Sequence, residues 1–147
     1  MIWTPHVTVA AVVEENGRFL LVEEEAEGRR VFNQPAGHWE EGESLAEAAV
    51  RETLEETGYA FTPEAVLGIY HWRHPRRDIT FLRVAFVGSI GGYDPDRPLD
   101  QGIIGPCWLS RAELLGRTDR LRSPQVLRCV DDYLAGRRYP LEMLVQV

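Results

Sequence analysis

Three glutamates, Glu52, Glu55 and Glu56, stand three and four positions apart. In a helix, residues at these spacings share one face, so their carboxylates would lie together. Like charges at such positions weaken a helix by about 0.2–0.5 kcal/mol per pair. Another interaction should therefore compensate for the repulsion between these carboxylates. One interpretation is a solvated face screened by Arg51. The other is a site for Mg²⁺, with Mn²⁺ as a substitute, because hard cations prefer carboxylate oxygens and leave positions open for phosphate and water.

The flanking residues predict the helix that carries these glutamates. Ser44 and Glu47 match a capping box, in which both side chains bond to free backbone amides at a helix start. Gly58 is suited to close the helix in a left-handed conformation. The predicted helix is therefore Leu45–Thr57. Helical angles place four residues on a predicted core stripe: Ala46, Val50, Thr53 and Leu54.

The rest of the chain alternates between strands and short helices. Apolar, β-branched runs bounded by turn residues predict six strands: residues 6–14, 18–23, 31–36, 65–72, 79–87 and 103–109. The first two are expected to form a hairpin. Ser110 and Ser123-Pro124 are expected to begin two short helices, ending near residues 115 and 134. This irregular mixture predicts an α/β protein, with helices packed on a mixed β-sheet.

Length and charge limit the classes of function. A chain of 147 residues is the size of one ordinary domain, so residues 1–147 are expected to form a single domain. The net charge of -7 argues against non-specific binding to nucleic acid or anionic membranes. Two cysteines are too few for a disulfide framework, and the N-terminus lacks a basic leader region, so a cytoplasmic protein is expected.

One short segment carries a specific motif. Seven of its residues match the signature of Nudix hydrolases in register: Gly37, Glu43, Arg51, Glu52, Glu55, Glu56 and Gly58. The chain therefore resembles this family. Two hydrophobic positions depart from the signature, where Thr53 and Tyr59 replace aliphatic residues. The resemblance implies the Nudix fold, an α/β/α sandwich with a mixed central sheet, and hydrolysis of phosphoric anhydrides.

The resemblance also implies roles within the motif. Glu52 and Glu56 would be the main metal ligands, together with the carbonyl of Gly37. Glu55 would be a further ligand or the base that activates water. Arg51 would orient the glutamates by ion pairing.

Two positions around the helix complete the implied site. Glu43 would brace the loop against the helix. Family members often use one more acidic residue outside the motif, near a strand that ends in Trp. Asp100, which precedes Trp108, is the candidate for this additional metal ligand.

Four residues outside the motif are candidates for substrate binding. Trp72 and Arg73 offer an aromatic face beside a cation, which suits a base and its phosphates. Phe81 and Arg83 share a strand face, and the Arg83 guanidinium is a candidate for gripping a phosphate. The alternatives are that Trp72 packs in a core and that Arg83 forms a surface ion pair.

The chain also resembles a branch of bacterial phosphatases in the family over nearly its whole length, and the segments that carry the resemblance are residues 5–10, 33–38, 81–83, 121–124 and 138–143. This resemblance implies release of phosphate from nucleoside tri- and diphosphates and from hydroxymethylpyrimidine diphosphate. Two alternatives remain open. One is pyrophosphate cleavage in dinucleoside polyphosphates, nucleotide sugars or RNA 5′ ends, and the other is a non-catalytic regulator that binds a nucleotide. The expected partner is a small molecule, and the chain is expected to be a monomer or a homodimer.

Overall fold

The computed structural model describes all residues from 1 to 147. It contains eight strands: β1 His6–Val12, β2 Glu14–Glu15, β3 Arg18–Ala26, β4 Arg29–Asn33, β5 Ala36–His38, β6 Ala60–Arg73, β7 Thr80–Gly91 and β8 Ile103–Ser110. It contains three α-helices: α1 Leu45–Thr57, α2 Arg111–Leu115 and α3 Gln125–Leu134. Two short 3₁₀ turns cover Thr118–Arg120 and Leu141–Met143. No helix has the length and apolar character needed to cross a membrane.

The strands form two four-stranded sheets. The first has the order β5-β1-β7-β6, in which β1 and β7 run parallel and the other neighbours antiparallel. In the second sheet, β3 pairs antiparallel with β2, β4 and β8. The α/β prediction with a mixed sheet is confirmed, although the mixed strands make up only one of the two sheets.

Helices cover both faces of the first sheet. Alternate residues of a strand point to opposite faces, so neighbouring β1 residues enter different cores. Val9 packs in the cluster that contains Ala48 of α1, whereas Ala10 packs in the cluster that contains Cys129 of α3. The sandwich predicted from the sequence is therefore present. Complete burial of one large apolar side chain, such as Phe86, contributes about 1.5–3 kcal/mol.

The predicted opening hairpin is much shorter than expected. Only Glu14–Glu15 pairs with the start of β3, across a turn in which Asn16 and Gly17 have φ values of 53° and 79°. Positive φ at both positions is typical of a tight hairpin turn. β1 instead lies between β5 and β7. Its residues 9–12 are buried, and a strand that is apolar on both faces is stable only in the interior of a covered sheet.

The predicted strand 31–36 is divided between the two sheets. β4 pairs with β3 in the second sheet, whereas β5 pairs with β1 in the first. Gln34 and Pro35 connect them, and the Pro35 carbonyl accepts a hydrogen bond from the Ala11 amide at 2.9 Å. Proline cannot donate to a strand ladder, so the break falls here. This crossing brings Gly37 to the edge of the first sheet.

Helix α1 begins and ends as predicted. The Ser44 side chain accepts a hydrogen bond from the Glu47 amide, and the Glu47 carboxylate accepts one from the Ser44 amide. Gly58 has a φ of 79°, and its amide donates to the Leu54 carbonyl. The motif glutamates are thus held on a helix that is capped at both ends.

Candidate active site

The buried face of α1 overlaps the predicted core stripe only in part, since Ala46 and Val50 pack against the core without being fully buried. Of the four predicted residues, only Thr53 is buried, whereas Ala46, Val50 and Leu54 are partly exposed. Six residues share the buried face: Ala48, Ala49, Glu52, Thr53, Glu56 and Thr57. Two carboxylates therefore point toward the protein interior, next to the residues that anchor the helix on the sheet.

Strand β5 lies directly against these two carboxylates. A Cβ atom built on Gly37 would lie 2.0 Å from Oε2 of Glu52, so only glycine leaves room for the carboxylate in this position. The Ala36 amide donates a hydrogen bond to Oε1 of Glu56 at 2.9 Å. The start of strand β5 therefore sets the positions of both glutamates.

Arg51 connects the remaining acidic residues. Its Nε and Nη2 atoms donate to the two oxygens of Glu43 at 2.9 and 2.8 Å, the bidentate geometry that suits a guanidinium. Its Nη1 donates to Glu52 at 2.6 Å and to Glu55 at 3.2 Å, and its Nη2 also donates to the His38 carbonyl at 3.0 Å. These hydrogen bonds lower the pKa of Glu43 and fix the side-chain directions of Glu52 and Glu55.

The electrostatics of the cluster favour a bound cation. Burial raises the pKa of Glu56 to about 9 and that of Glu52 to about 6. Burial and then the nearby charge of Asp100 raise the pKa of Glu55. Arg51 is the one cation in contact with this group. One arginine does not neutralise these carboxylates, so a divalent metal ion would balance their remaining charge. Carboxylate oxygens are also the donors that Mg²⁺ and Mn²⁺ prefer.

Asp100 lies beside this cluster, at the start of the turn that leads into β8. Its amide donates to the Glu55 carbonyl at 3.2 Å, and its negative charge contributes to the raised pKa values of Glu52, Glu55 and Glu56. The structure thus brings the predicted additional acid next to the motif glutamates.

A cleft of about 790 Å³ opens from this cluster. Gly37, Glu52 and Glu56 line one part of it. Trp72 and Phe81 line another part, with their rings stacked at 5.7 Å between centroids and 18° between planes. An acidic end and an aromatic wall in the same cleft suit a compound that joins phosphates to a flat ring.

Arg73, predicted to contact substrate, does not line this cleft. It pairs with Asp78 at 3.0 Å, and its side chain is largely exposed. The reason is the alternation of a strand, which directs adjacent residues to opposite faces. Because Trp72 points into the cleft, Arg73 points away from it.

Arg83 lines the cleft, where two uncharged side chains hold its guanidinium. It is only 4% exposed and donates to the side-chain carbonyls of Gln34 at 2.8 Å and Asn33 at 2.9 Å. It has no carboxylate within 4 Å, so the surface ion pair is wrong. A buried guanidinium without a counter-ion favours an anion nearby.

Glu24 is a residue of the cleft that the sequence analysis missed. It is buried on β3, pairs with Arg122 at 2.5 Å, and adds to the raised pKa of Glu56. It stands in the run Glu23-Glu24-Glu25, where strand alternation alone does not show which carboxylate faces inward. Its pairing could be recognised only after β3 and the segment before α3 had been placed together.

Comparisons with known proteins identify the family. The family model described as the NUDIX domain matches residues 4–129 of the chain. The chain is 44% identical to the phosphatase NudJ of Escherichia coli K12 over 140 residues, which cover 95% of this chain and 90% of the relative. The NudJ of Shigella sonnei has the same identity and coverage.

Solved structures agree with this assignment. A NUDIX hydrolase from Nitrosomonas europaea is 48% identical, with a TM-score of 0.96 over 98% of each chain. A bifunctional NMN adenylyltransferase/ADP-ribose pyrophosphatase from Francisella tularensis, complexed with AMP and a manganese ion, is 22% identical with a TM-score of 0.67 over 90% of this chain and 42% of that chain, and shares the fold. Nudix hydrolases generally use divalent metals and act on small nucleotide-type substrates. The chain belongs to the Nudix family and is a hydrolase of phosphoric anhydrides.

Proposed function

We propose that this protein is a Mg²⁺-dependent phosphohydrolase that releases orthophosphate from nucleoside tri- and diphosphates and from hydroxymethylpyrimidine diphosphate. The observation that carries the proposal is the placement of Glu52 and Glu56 on the buried face of α1, against Gly37, at one end of a cleft with an aromatic wall. The 44% identity to the phosphatase NudJ supports phosphate release over other Nudix reactions.

The residues proposed to hold the metal are Glu52, Glu56 and the Gly37 carbonyl, with Glu55 and Asp100 beside them. Mg²⁺ is the proposed ion, and Mn²⁺ is expected to replace it because both accept carboxylate and carbonyl oxygens. When bound, the ion would neutralise phosphate oxygens and acidify the attacking water. The raised pKa values of the glutamates support this assignment, since a cation would take the place of the protons.

Glu55 is the proposed proton acceptor. Its side chain is 28% exposed, so water reaches it more readily than it reaches Glu52 or Glu56. Its pKa is raised above the ordinary value, which makes it a better base than an exposed carboxylate. Arg51 is proposed as a positioning residue, because its Nη1 holds both Glu52 and Glu55.

The cleft residues supply the proposed substrate contacts. The stacked rings of Trp72 and Phe81 are proposed to receive the base or pyrimidine ring. Arg83 is proposed to balance substrate phosphate through its uncompensated charge.

We further propose that residues 1–147 form one domain. The cytoplasmic location and the monomeric or homodimeric state stay predictions.

A phosphate-release screen tests the proposed reaction. The purified protein is incubated with Mg²⁺ and a panel of nucleoside tri- and diphosphates and hydroxymethylpyrimidine diphosphate, and products are separated by ion-exchange chromatography. We expect orthophosphate and a product shorter by one phosphate, with no reaction in EDTA. Pyrophosphate and a monophosphate from triphosphates would instead support the pyrophosphohydrolase alternative. Binding of nucleotides without any product would support the regulator.

Removal of the metal is expected to make stability depend on pH. Because the pKa of Glu56 rises from 4.5 to about 9 on folding, the metal-free folded protein binds a proton that the unfolded chain lacks between these values. The contribution of Glu56 to the free energy of unfolding is therefore greatest below pH 4.5 and is lost as the pH rises toward 9. In EDTA, the Tm of the wild type minus the Tm of Glu56→Gln should decrease as the pH is raised from 6 to 8. Mg²⁺ should raise the wild-type Tm more at pH 8, and equal shifts at both pH values would contradict this account.

A further inference from the structure

Two adjacent glutamates of β3 each form an ion pair with an arginine from the segment before α3. Oε1 of Glu24 lies 2.5 Å from Nη1 of Arg122, and Oε2 of Glu23 lies 3.1 Å from Nη2 of Arg120. The two arginine side chains are similarly exposed, at 44% for Arg122 and 40% for Arg120. Only the first pair lines the cleft, whereas Arg120 lies over the ring of Phe32. The chain thus places one of two similar pairs in the cleft of the motif glutamates.

The backbone fixes Arg122 at the wall of this cleft. Its amide donates to the Phe32 carbonyl at 2.8 Å, and Leu121 forms a parallel bridge with Phe32. Residues 121–122 therefore run along the free edge of β4, because β3 occupies the other edge. The Arg122 side chain reaches across β4 to Glu24. A backbone contact and an ion pair together hold the guanidinium in place.

The Arg122 guanidinium has donors that the protein does not use. Nη1 is the one nitrogen that donates to a protein group, so Nε and Nη2 have no partner. Its partner Glu24 is only 8% exposed, which keeps this carboxylate at the cleft wall. A guanidinium carries five N–H donors in a planar fork that matches phosphate as well as carboxylate. A phosphate in the cleft would meet donors that are already oriented, which lowers the entropic cost of binding.

The Arg122–Glu24 pair also lies within electrostatic reach of the glutamate end of the cleft. Burial and then neighbouring carboxylates, Glu24 among them, raise the pKa of Glu56. Burial and then nearby charges, Arg122 among them, lower the pKa of His38, which belongs to β5. The free donors of Arg122 are therefore close to the place where the proposed function puts the phosphates.

We propose that Arg122 is a further catalytic residue, which binds the phosphate chain of the substrate while Glu24 positions its guanidinium. This inference rests on the proposed function, because it takes the phosphate chain to lie beside Glu52 and Glu56. The observation that carries it is a guanidinium held on the cleft wall with two nitrogens unpartnered. Arg83 and Arg122 would then bring two cations to a chain with several negative charges.

The test measures binding of α,β-methylene-ADP, an ADP analogue in which CH₂ replaces the bridging oxygen, so that phosphate release is blocked. Titration calorimetry with Mg²⁺ gives its Kd. We expect R122Q to raise the Kd about tenfold or more, the effect of losing a hydrogen bond from a charged group. R122K should bind more tightly than R122Q, because lysine keeps the charge but not the fork. For ADP hydrolysis, R122Q should raise KM more than it lowers kcat.

The matched control is R120Q, which breaks the similar pair outside the cleft and should keep the wild-type Kd. R122Q leaves Glu24 buried without its partner, which destabilises a fold. The variant E24Q/R122Q therefore removes both charges, and it should still bind the analogue weakly. Tm measurements show that each variant is folded.

The proposal is overturned if E24Q/R122Q binds the analogue as tightly as the wild type, or if R120Q weakens binding as much as R122Q. In these cases ADP hydrolysis by the wild type still supports the proposed function. A wild type that binds the analogue through Arg122 but hydrolyses neither ADP nor ATP would overturn the proposed function and leave Arg122 as a phosphate-binding residue. A wild type that does not bind the analogue overturns this inference.

Discussion

Glu56→Gln is expected to lower kcat for phosphate release by a factor on the order of 10²–10³, the usual effect of removing one group that stabilises charge in an active site. Glutamine keeps the shape of the side chain, and its carbonyl can still accept the hydrogen bond from the Ala36 amide. It removes the negative charge that a divalent ion requires. Steady-state kinetics at saturating Mg²⁺ measures the effect, and metal titration calorimetry should show weaker binding.

The fold of this variant should survive. Because burial raises the pKa of Glu56 to about 9, this carboxyl is protonated in the metal-free protein at neutral pH, and glutamine resembles that form. The Tm in EDTA at pH 7 should therefore be unchanged or higher. Glu41→Gln is the matched control, since Glu41 is exposed and has no side-chain partner. Turnover at the wild-type rate by Glu56→Gln would show that this carboxylate is not a ligand.

Gly37→Ala is expected to lower kcat about 100-fold. The new Cβ atom would lie 2.0 Å from Oε2 and 2.6 Å from Oε1 of Glu52, so the carboxylate has to move away from β5. A displacement of about 1 Å at a catalytic centre can cost a factor of this size. Phosphate-release kinetics with Mg²⁺ and with Mn²⁺ measures the loss, and KM should change less than kcat.

Stability should change little in Gly37→Ala, because the clash involves the end of a flexible side chain and the backbone at residue 37 does not require glycine. Gly91→Ala provides the control: it lies in a strand of the same sheet, and its added Cβ meets nothing within 4 Å. If Gly37→Ala retained activity as Gly91→Ala does, the close approach of Glu52 to β5 would have no catalytic role.

Local chemistry predicted the helix of the site well. Ser44, Glu47 and Gly58 define its ends through contacts within a few residues, and both caps are present in the structure. The motif spacing likewise indicated which glutamates would lie together. Interactions of this kind are encoded by short stretches of chain, so sequence alone is sufficient to recognise them.

Features that depend on distant partners were predicted less well. The core stripe of α1 was only partly correct, because helical angles show which residues share a face but not which face packs most closely on the sheet. Thr53 is buried, and Ala46 and Val50 pack against the core, but the prediction left out the buried Glu52 and Glu56. The division of residues 31–36 between two sheets depended on pairing with β3 and β1. The burial of Arg83 was not predicted, because no local signal shows that Asn33 and Gln34, some 50 positions earlier, would enclose its guanidinium.

The mouth of the cleft is formed by the tips of two hairpins, whereas the glutamates stand on a capped helix that belongs to a separate part of the chain. Residues at hairpin tips contribute little to the core and tolerate replacement. Replacements around positions 27 and 76 would therefore reshape the rim of the cleft without touching the caps of the helix that holds the glutamates.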